Sequence, residues 1–260
     1  MSTSVLTVAP GIHRIKVPTP FRVGPVNAYL IEDEPLTLVD NGPNSARSLD
    51  ALELALSELR YRVADLELLV VTHQHVDHHG LTSTLVRRSG SALAVLDLLA
   101  VPLAGWPAYP ERNDALAERL MRRHGVPGEV ATVLRAVARA QHGWGGPAEA
   151  TRRLVPGERL ELRDRGFAVL HAPGHSPSDT LLWDGHRGVM LAGDHLLEHI
   201  SSNPIIGLPL EEPEATAAFE ERSRPRPLPA YLATLRRTQA LDPALVLGGH
   251  GNPVRNARAD

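Results

Sequence analysis

The chain has 260 residues, 43% of them hydrophobic, with a net charge of −3 and no cysteine. This is the composition of an ordinary globular protein with enough apolar side chains for a real core, in one large domain or two small ones. Disulfides and thiolate-held metals are excluded, and neither the charge balance nor any apolar stretch signals nucleic acid or a membrane.

Met1 to Leu6 hold no basic stretch leading into an apolar core, so a cytoplasmic protein is expected. Residues 11–15, 27–31 and 36–40 are short apolar runs separated by turns, the pattern of a β-meander, and Asp40-Asn41-Gly42-Pro43 closes the third run as a turn. Leu49, Leu52, Leu56 and Leu59 recur at helical spacing and predict a helix over 45–60. An apolar strand at 66–71, a short helix at 80–88 and a strand at 91–96 then give a βαβ rhythm.

Residues 97–150 differ in character. Leu116, Leu120 and Met121 mark an amphipathic helix over 111–124; Val130, Val133, Leu134 and Val137 mark a second over 129–141. His124 and His142 stand at the two helix ends, where capping of C-terminal carbonyls is expected of them. Short strands return at 160–162, 167–170, 180–183 and 188–192. The proline-rich span 201–227 reads as loop, its Arg222, Arg224 and Arg226 as a solvated group, and a helix over 228–240 and a strand over 244–247 complete the chain.

Chemistry concentrates where the 66–71 strand ends, in Thr72-His73-Gln74-His75-Val76-Asp77-His78-His79-Gly80. On an extended backbone residues i and i+2 point the same way, so His73 and His75 converge, while Asp77 and His78 fall on the turn that leaves the strand. Imidazole suits zinc, iron or nickel, and an added carboxylate widens the choice to manganese. A lone histidine would more simply be a satisfied core residue; four candidate donors in six positions are a chelating pattern.

His73-x-His75-x-Asp77-His78, with Thr72 before it and Gly80 after it, resembles the signature of the metallo-β-lactamase-fold hydrolases, most closely the glyoxalase II-like branch. The resemblance covers residues 11–96, 158–200 and 228–253 and implies an α/β fold, a four-layer αββα sandwich; the chain is expected to be a single domain over 1–260, with the helices at about 97–150 as an insert outside the resemblance. The resemblance assigns further metal ligands: His175 in His171-Ala172-Pro173-Gly174-His175, with His171 a decoy; Asp194 in Gly193-Asp194; and His250 in Gly248-Gly249-His250-Gly251. Gly248 replaces the family's proline and is expected to loosen that turn. Asp40 matches a carboxylate that supports the ligands from behind, although Asn41 departs from the usual hydroxyl residue.

On this reading His73, His75 and His175 hold one metal, Asp77, His78 and His250 the second, and Asp194 bridges; Asp77 and Asp194 are the expected catalytic carboxylates. The cofactors are two divalent transition metals, zinc first, with iron or manganese as alternatives. Two such cations about 3.5–4 Å apart deliver hydroxide near neutral pH from a shared water. The ligand set turns away from the flavodiiron relatives, which carry glutamate at the position of His75, from cysteine-ligand β-lactamases, and from single-iron persulfide dioxygenases. The expected function is hydrolysis of a small ester, thioester or lactone. The alternative is phosphodiester cleavage in RNA, which the scarcity of aromatic residues and of net positive charge disfavours. Trp106, Tyr109 and Trp144 flank the insert helices and are expected to wall the pocket.

Overall fold

The computed structural model describes residues 5–210, 226–255 and 257. Two β-sheets form its centre. The larger runs in the order β1 (Val5–Ala9), β2 (Ile12–Val17), β3 (Val26–Ile31), β4 (Thr37–Val39), β5 (Leu68–Val71), β6 (Ala92–Leu96) and β7 (Arg152–Leu154). β1 to β4 are antiparallel neighbours; β4 to β7 are parallel. The parallel part needs crossovers, and these are the helices α1 (Ala46–Glu58), then the single turn α2 (Val76–His79) with α3 (Thr82–Ser89), then α4 (Asp97–Ala104), α5 (Ala108–Arg123) and α6 (Gly128–Gln141).

The second sheet has the order β12 (Leu245–Gly248), β11 (Val189–Gly193), β10 (Thr180–Asp184), β9 (Gly166–His171), β8 (Arg159–Glu161). Only β11 and β12 pair in parallel, joined through α7 (Pro227–Leu241). The 201–227 loop expectation rests on 201–210 and 226 alone, which carry no strand or helix; residues 211–225 lie outside the described residues.

Strand alternation builds the layers. Leu69 and Val71 of β5, with Leu93 and Val95 of β6, face a core shared with Leu52 and Leu56 of α1 and Leu85 of α3. Their neighbours Leu68, Val70, Ala94 and Leu96 face the other way, onto Phe167, Val169, Leu191 and Leu247 of the second sheet. Met190, Ala192 and Val246 point to the far side of that sheet. The αββα sandwich places the C-terminal ends of β4, β5, β9, β11 and β12 along one edge, and every candidate ligand lies just beyond one of those ends.

Candidate metal centre

Seven side chains predicted from separate parts of the chain meet at that edge. The ligand atoms of His73, His75 and His175 lie within 4.8 Å of one another, as do those of Asp77, His78 and His250, and those of His73, His78 and Asp194. Asp194 reaches both sets: its Oδ2 is 3.6 Å from His175 Nε2 and 3.6 Å from His250 Nε2, and its Oδ1 is 3.5 Å from His78 Nε2. Asp77 Oδ2 stands 3.3 Å from His250 Nε2. His171 is elsewhere, its Nε2–H donating to the Pro177 carbonyl at 2.9 Å, and His195 turns its Nε2 to Thr238 Oγ1.

Four of the outer nitrogens are held by a partner placed to accept. His78 Nδ1–H donates to Asp40 Oδ2 at 2.8 Å, His175 Nδ1–H to the Ser202 carbonyl at 2.9 Å, and His250 Nδ1–H to the Pro25 carbonyl at 2.9 Å. Thr72 Oγ1–H donates to Asp40 Oδ2, so it accepts from His73 Nδ1–H at 3.0 Å. The four Nε2 atoms are therefore left as inward lone pairs. His73 Nε2 and His175 Nε2 both point at His75 Nδ1, at 3.0 and 2.9 Å. Lone pairs aimed at one spot repel each other unless a cation takes them, and His78 Nε2 and Asp194 Oδ1 are buried with no hydrogen-bond partner at all. A set of imidazole nitrogens and carboxylate oxygens with such gaps fits divalent transition metals.

At His73 and His75 the electrostatics favour the unprotonated ring, whereas the carboxylates around His78 attract positive charge there, a proton or a metal. Burial, with His78, His75 and His175 nearby, drives His73 well below the usual imidazole value, and burial beside His175 takes His75 down to about 3. Burial opposes charge on His78 too, but Asp194, Asp40 and Asp77 overcome it and hold its pKa well above normal. The Asp194 carboxyl is held far below the ordinary range, against burial, by His78, His250 and His175. The cluster carries buried negative charge that asks for cations.

Local geometry explains how short turns achieve this. Asp40 takes a left-handed backbone (φ 57°) directly after β4, which turns its carboxylate back to accept from Thr72 N at 2.9 Å and from Thr72 Oγ1 at 2.8 Å. Asn41 binds the far side of the motif, donating to Thr82 Oγ1 and accepting from Leu81 N, both at 2.9 Å. At Gly248 the carbonyl accepts from Asn27 Nδ2 at 2.9 Å and from Tyr29 Oη at 2.7 Å, which ties this turn to β3. At Gly249 an added Cβ would collide with Asp194 Oδ1 and the His78 ring, so only glycine lets this backbone pass behind the cluster. Sequence reasoning missed Asn27 and Tyr29. The available signal was a polar pair at i and i+2 on the inward face of an otherwise apolar strand.

The candidate ligands His75 and Asp77, with Gln74 and Val76, floor a cavity of about 360 Å³. The insert supplies one wall through Trp106, Tyr109, Pro110 and Asn113, and the end of α6 another through Ala138, Gln141 and His142. Phe21, Val23 and Ile205 form the lip. Trp144 does not line it but meets Phe21 edge-on, centroids 6.4 Å apart. The helix-end histidines close their helices as expected, through the backbone: His124 N–H donates to the Leu120 carbonyl at 3.0 Å and His142 N–H to the Arg139 carbonyl, while the His142 imidazole pairs with Asp114 of α5 at 2.9 Å. Its imidazole finds a carboxylate across the helix pair, a stronger partner than a solvated carbonyl.

Comparison with known proteins gives the lineage. The model of the Metallo-beta-lactamase superfamily matches residues 21–250. The chain belongs to that superfamily. It is 33% identical over 246 residues to "Probable metallo-hydrolase YqjP" of Bacillus subtilis (strain 168), covering 94% of this chain and 73% of that one. It is 31% identical over 127 residues to "Acyl-coenzyme A thioesterase MBLAC2" of Gallus gallus, covering 49% of this chain and 40% of that one. A crystal structure of a metallo-beta-lactamase family protein from Thermus thermophilus superposes with a TM-score of 0.79 at 28% identity, covering 97% of this chain and 77% of that one. The protein is thus a metallo-hydrolase, in a superfamily that binds divalent metals. No helix among the described residues is long and apolar enough to cross a membrane.

Proposed function

We propose that the chain is a dinuclear hydrolase of a small carboxylic ester, thioester or lactone, working as one catalytic domain whose insert at 97–150 walls the substrate cavity. One observation carries the choice of substrate. Of the seven candidate ligands, His73, His75, Asp77, His78, His175, Asp194 and His250, two, His75 and Asp77, floor a cavity whose described lining contains no lysine or arginine and is mostly apolar. A phosphodiester substrate calls for cationic side chains along its backbone, whereas an uncharged carbonyl compound needs apolar walls and a few polar contacts. The thioester of the superfamily's glyoxalase II-like branch and the name of the Gallus gallus relative are compatible with this reading.

Two divalent cations, zinc first, would acidify a shared water and polarise the scissile carbonyl. The chain supplies everything around that chemistry. Asp194, reaching both ligand sets, and Asp77 provide the anionic charge that offsets the cations. Asp40 holds His78 directly and His73 through Thr72, so both present Nε2 inward. Gln74 accepts a hydrogen bond from Ser178 Oγ, which keeps the cavity floor in place. The apolar walls exclude bulk water, so charge developing on the substrate oxygen is not screened.

The test is metal analysis of purified protein followed by esters, thioesters, lactones and a bis-phenyl phosphodiester on the same preparation. Two metals per chain with turnover of a carbonyl substrate supports the proposal. One metal per chain after full loading, or turnover of the phosphodiester alone, refutes it.

A further inference from the structure

α6 is amphipathic in the opposite sense to an ordinary surface helix, which hides its apolar face. Arg135 donates to Glu118 of α5 at 2.8 Å, Arg139 approaches Glu111 at 3.8 Å, and the buried contact with α5 is made by the small Ala131. The apolar side chains turn outward. Val130, Val133, Leu134 and Val137 are between 46% and 61% exposed. Val130, Leu134, Val137 and Gln141 stand at i, i+4, i+7 and i+11, a single ridge along the helix, and Gln141 at its end lines the cavity over the metal ligands. The ridge runs about 16 Å from the cavity wall, at 1.5 Å per residue. Val23 and Ile205, 42% and 44% exposed, line the same cavity as Gln141.

We propose that this ridge is the seat of the substrate's acyl tail: the substrate is an ester or thioester of a medium to long unbranched apolar acid, its carbonyl over the metals and its chain lying along α6. The inference rests on the hydrolase reading above. A row one side chain wide suits a chain-like ligand, and it is continuous with the cavity that receives the carbonyl. The competing occupant is a second copy of this chain. A row of four side chains falls well short of the about 800 Å² that each partner buries in a stable dimer.

The experiment uses the full-length, metal-loaded protein and p-nitrophenyl esters from acetate to decanoate. Each methylene that reaches the ridge should raise kcat/KM by two- to fourfold, the upper figure being that of full burial. Leu134→Asn with Val137→Asn should lower the decanoate-to-acetate ratio at least tenfold. A second readout needs no turnover: 2-dodecanone, a non-hydrolysable probe, should quench tryptophan fluorescence and bind at least tenfold more weakly to the double variant. A flat dependence on chain length, with equal ketone binding by wild type and variant, overturns the inference while leaving the hydrolase reading intact. So does a sedimenting dimer that the double substitution dissociates without changing chain-length selectivity. Failure to hydrolyse any ester, thioester or lactone with two metals bound would sink the hydrolase reading instead, and the ketone titration would then decide the ridge by itself.

Discussion

Asp40→Asn separates the support of the metal cluster from its ligands. Asp40 uses both oxygens, Oδ1 for Thr72 N and Oδ2 for Thr72 Oγ1 and His78 Nδ1–H, and it is almost fully buried. Asparagine tolerates the left-handed backbone (φ 57°) better than alanine, so strain is not the variable. With its Oδ1 kept on Thr72 N, the new amide nitrogen faces two donors. His78 can relieve the clash only by accepting at Nδ1, which moves its proton to Nε2, the atom that faces Asp194. A protonated nitrogen is not a ligand. Loss of such a supporting partner typically costs 10–100-fold in metal affinity, or about 1.4–2.7 kcal/mol. Titration of metal-free protein with zinc against a chromophoric chelator reads this directly, with circular dichroism as the check on folding. Both zinc constants within twofold of wild type in a folded variant would refute the tautomer argument.

Three further outcomes are expected. His250→Ala should bind one metal per chain where the parent binds two, measured by elemental analysis; unchanged content removes His250 from the ligand set. Asp179, buried and accepting from Ser176 N and Ser176 Oγ, has its carboxyl pushed up by desolvation to about 6. A raised carboxyl pKa means the unfolded chain releases this proton first, so the metal-free wild type loses stability as pH rises from about 4 through about 6; Asp179→Asn escapes that loss and should gain roughly 3 kcal/mol on wild type between pH 4 and pH 7 in urea titrations of the metal-free proteins. A constant difference across that range would refute the burial argument. Replacing 108–141 by a short glycine-rich linker spares Trp144, whose carbonyl accepts from Asn44 N at 2.7 Å beside the metal motif; metal content should hold at two while selectivity among acyl esters collapses, and unchanged selectivity would take the insert out of the site.

What the sequence could and could not disclose follows from the period of each element. The candidate ligands were legible because each sits next to a strand end, where alternation fixes direction, and because histidine and aspartate are scarce enough to pattern. α4 was missed because Asp97–Ala104 is apolar nearly all round, so no face stands out for a 3.6-residue period. β7 escaped because Arg152-Arg153-Leu154 is too short to alternate, and β1, an edge strand, buries little apart from Val8. His142 was legible as a helix cap, but the pairing of its ring with Asp114 was not, because Asp114 lies on another helix. Sequence neighbours cannot show that pairing.

The insert shows where periodicity stops. Val130, Val133, Leu134 and Val137 were read correctly as one apolar face, and the natural extension, that such a face packs inward, does not hold. Whether a stripe is buried depends on what the neighbouring helix offers. α5 offers Glu111 and Glu118, which bind Arg139 and Arg135 and so turn the polar side of α6 inward. Those ion pairs are exposed and individually weak, so they do not compensate for leaving four apolar side chains in water. On the proposal above, a helix that keeps such a face uncovered beside the cavity does so for the substrate rather than for the fold. The same logic separates the two levels of the molecule: sheet ends and the pinned turns at Asp40 and Gly248 set the chemistry, and the face that α6 leaves open sets what reaches it.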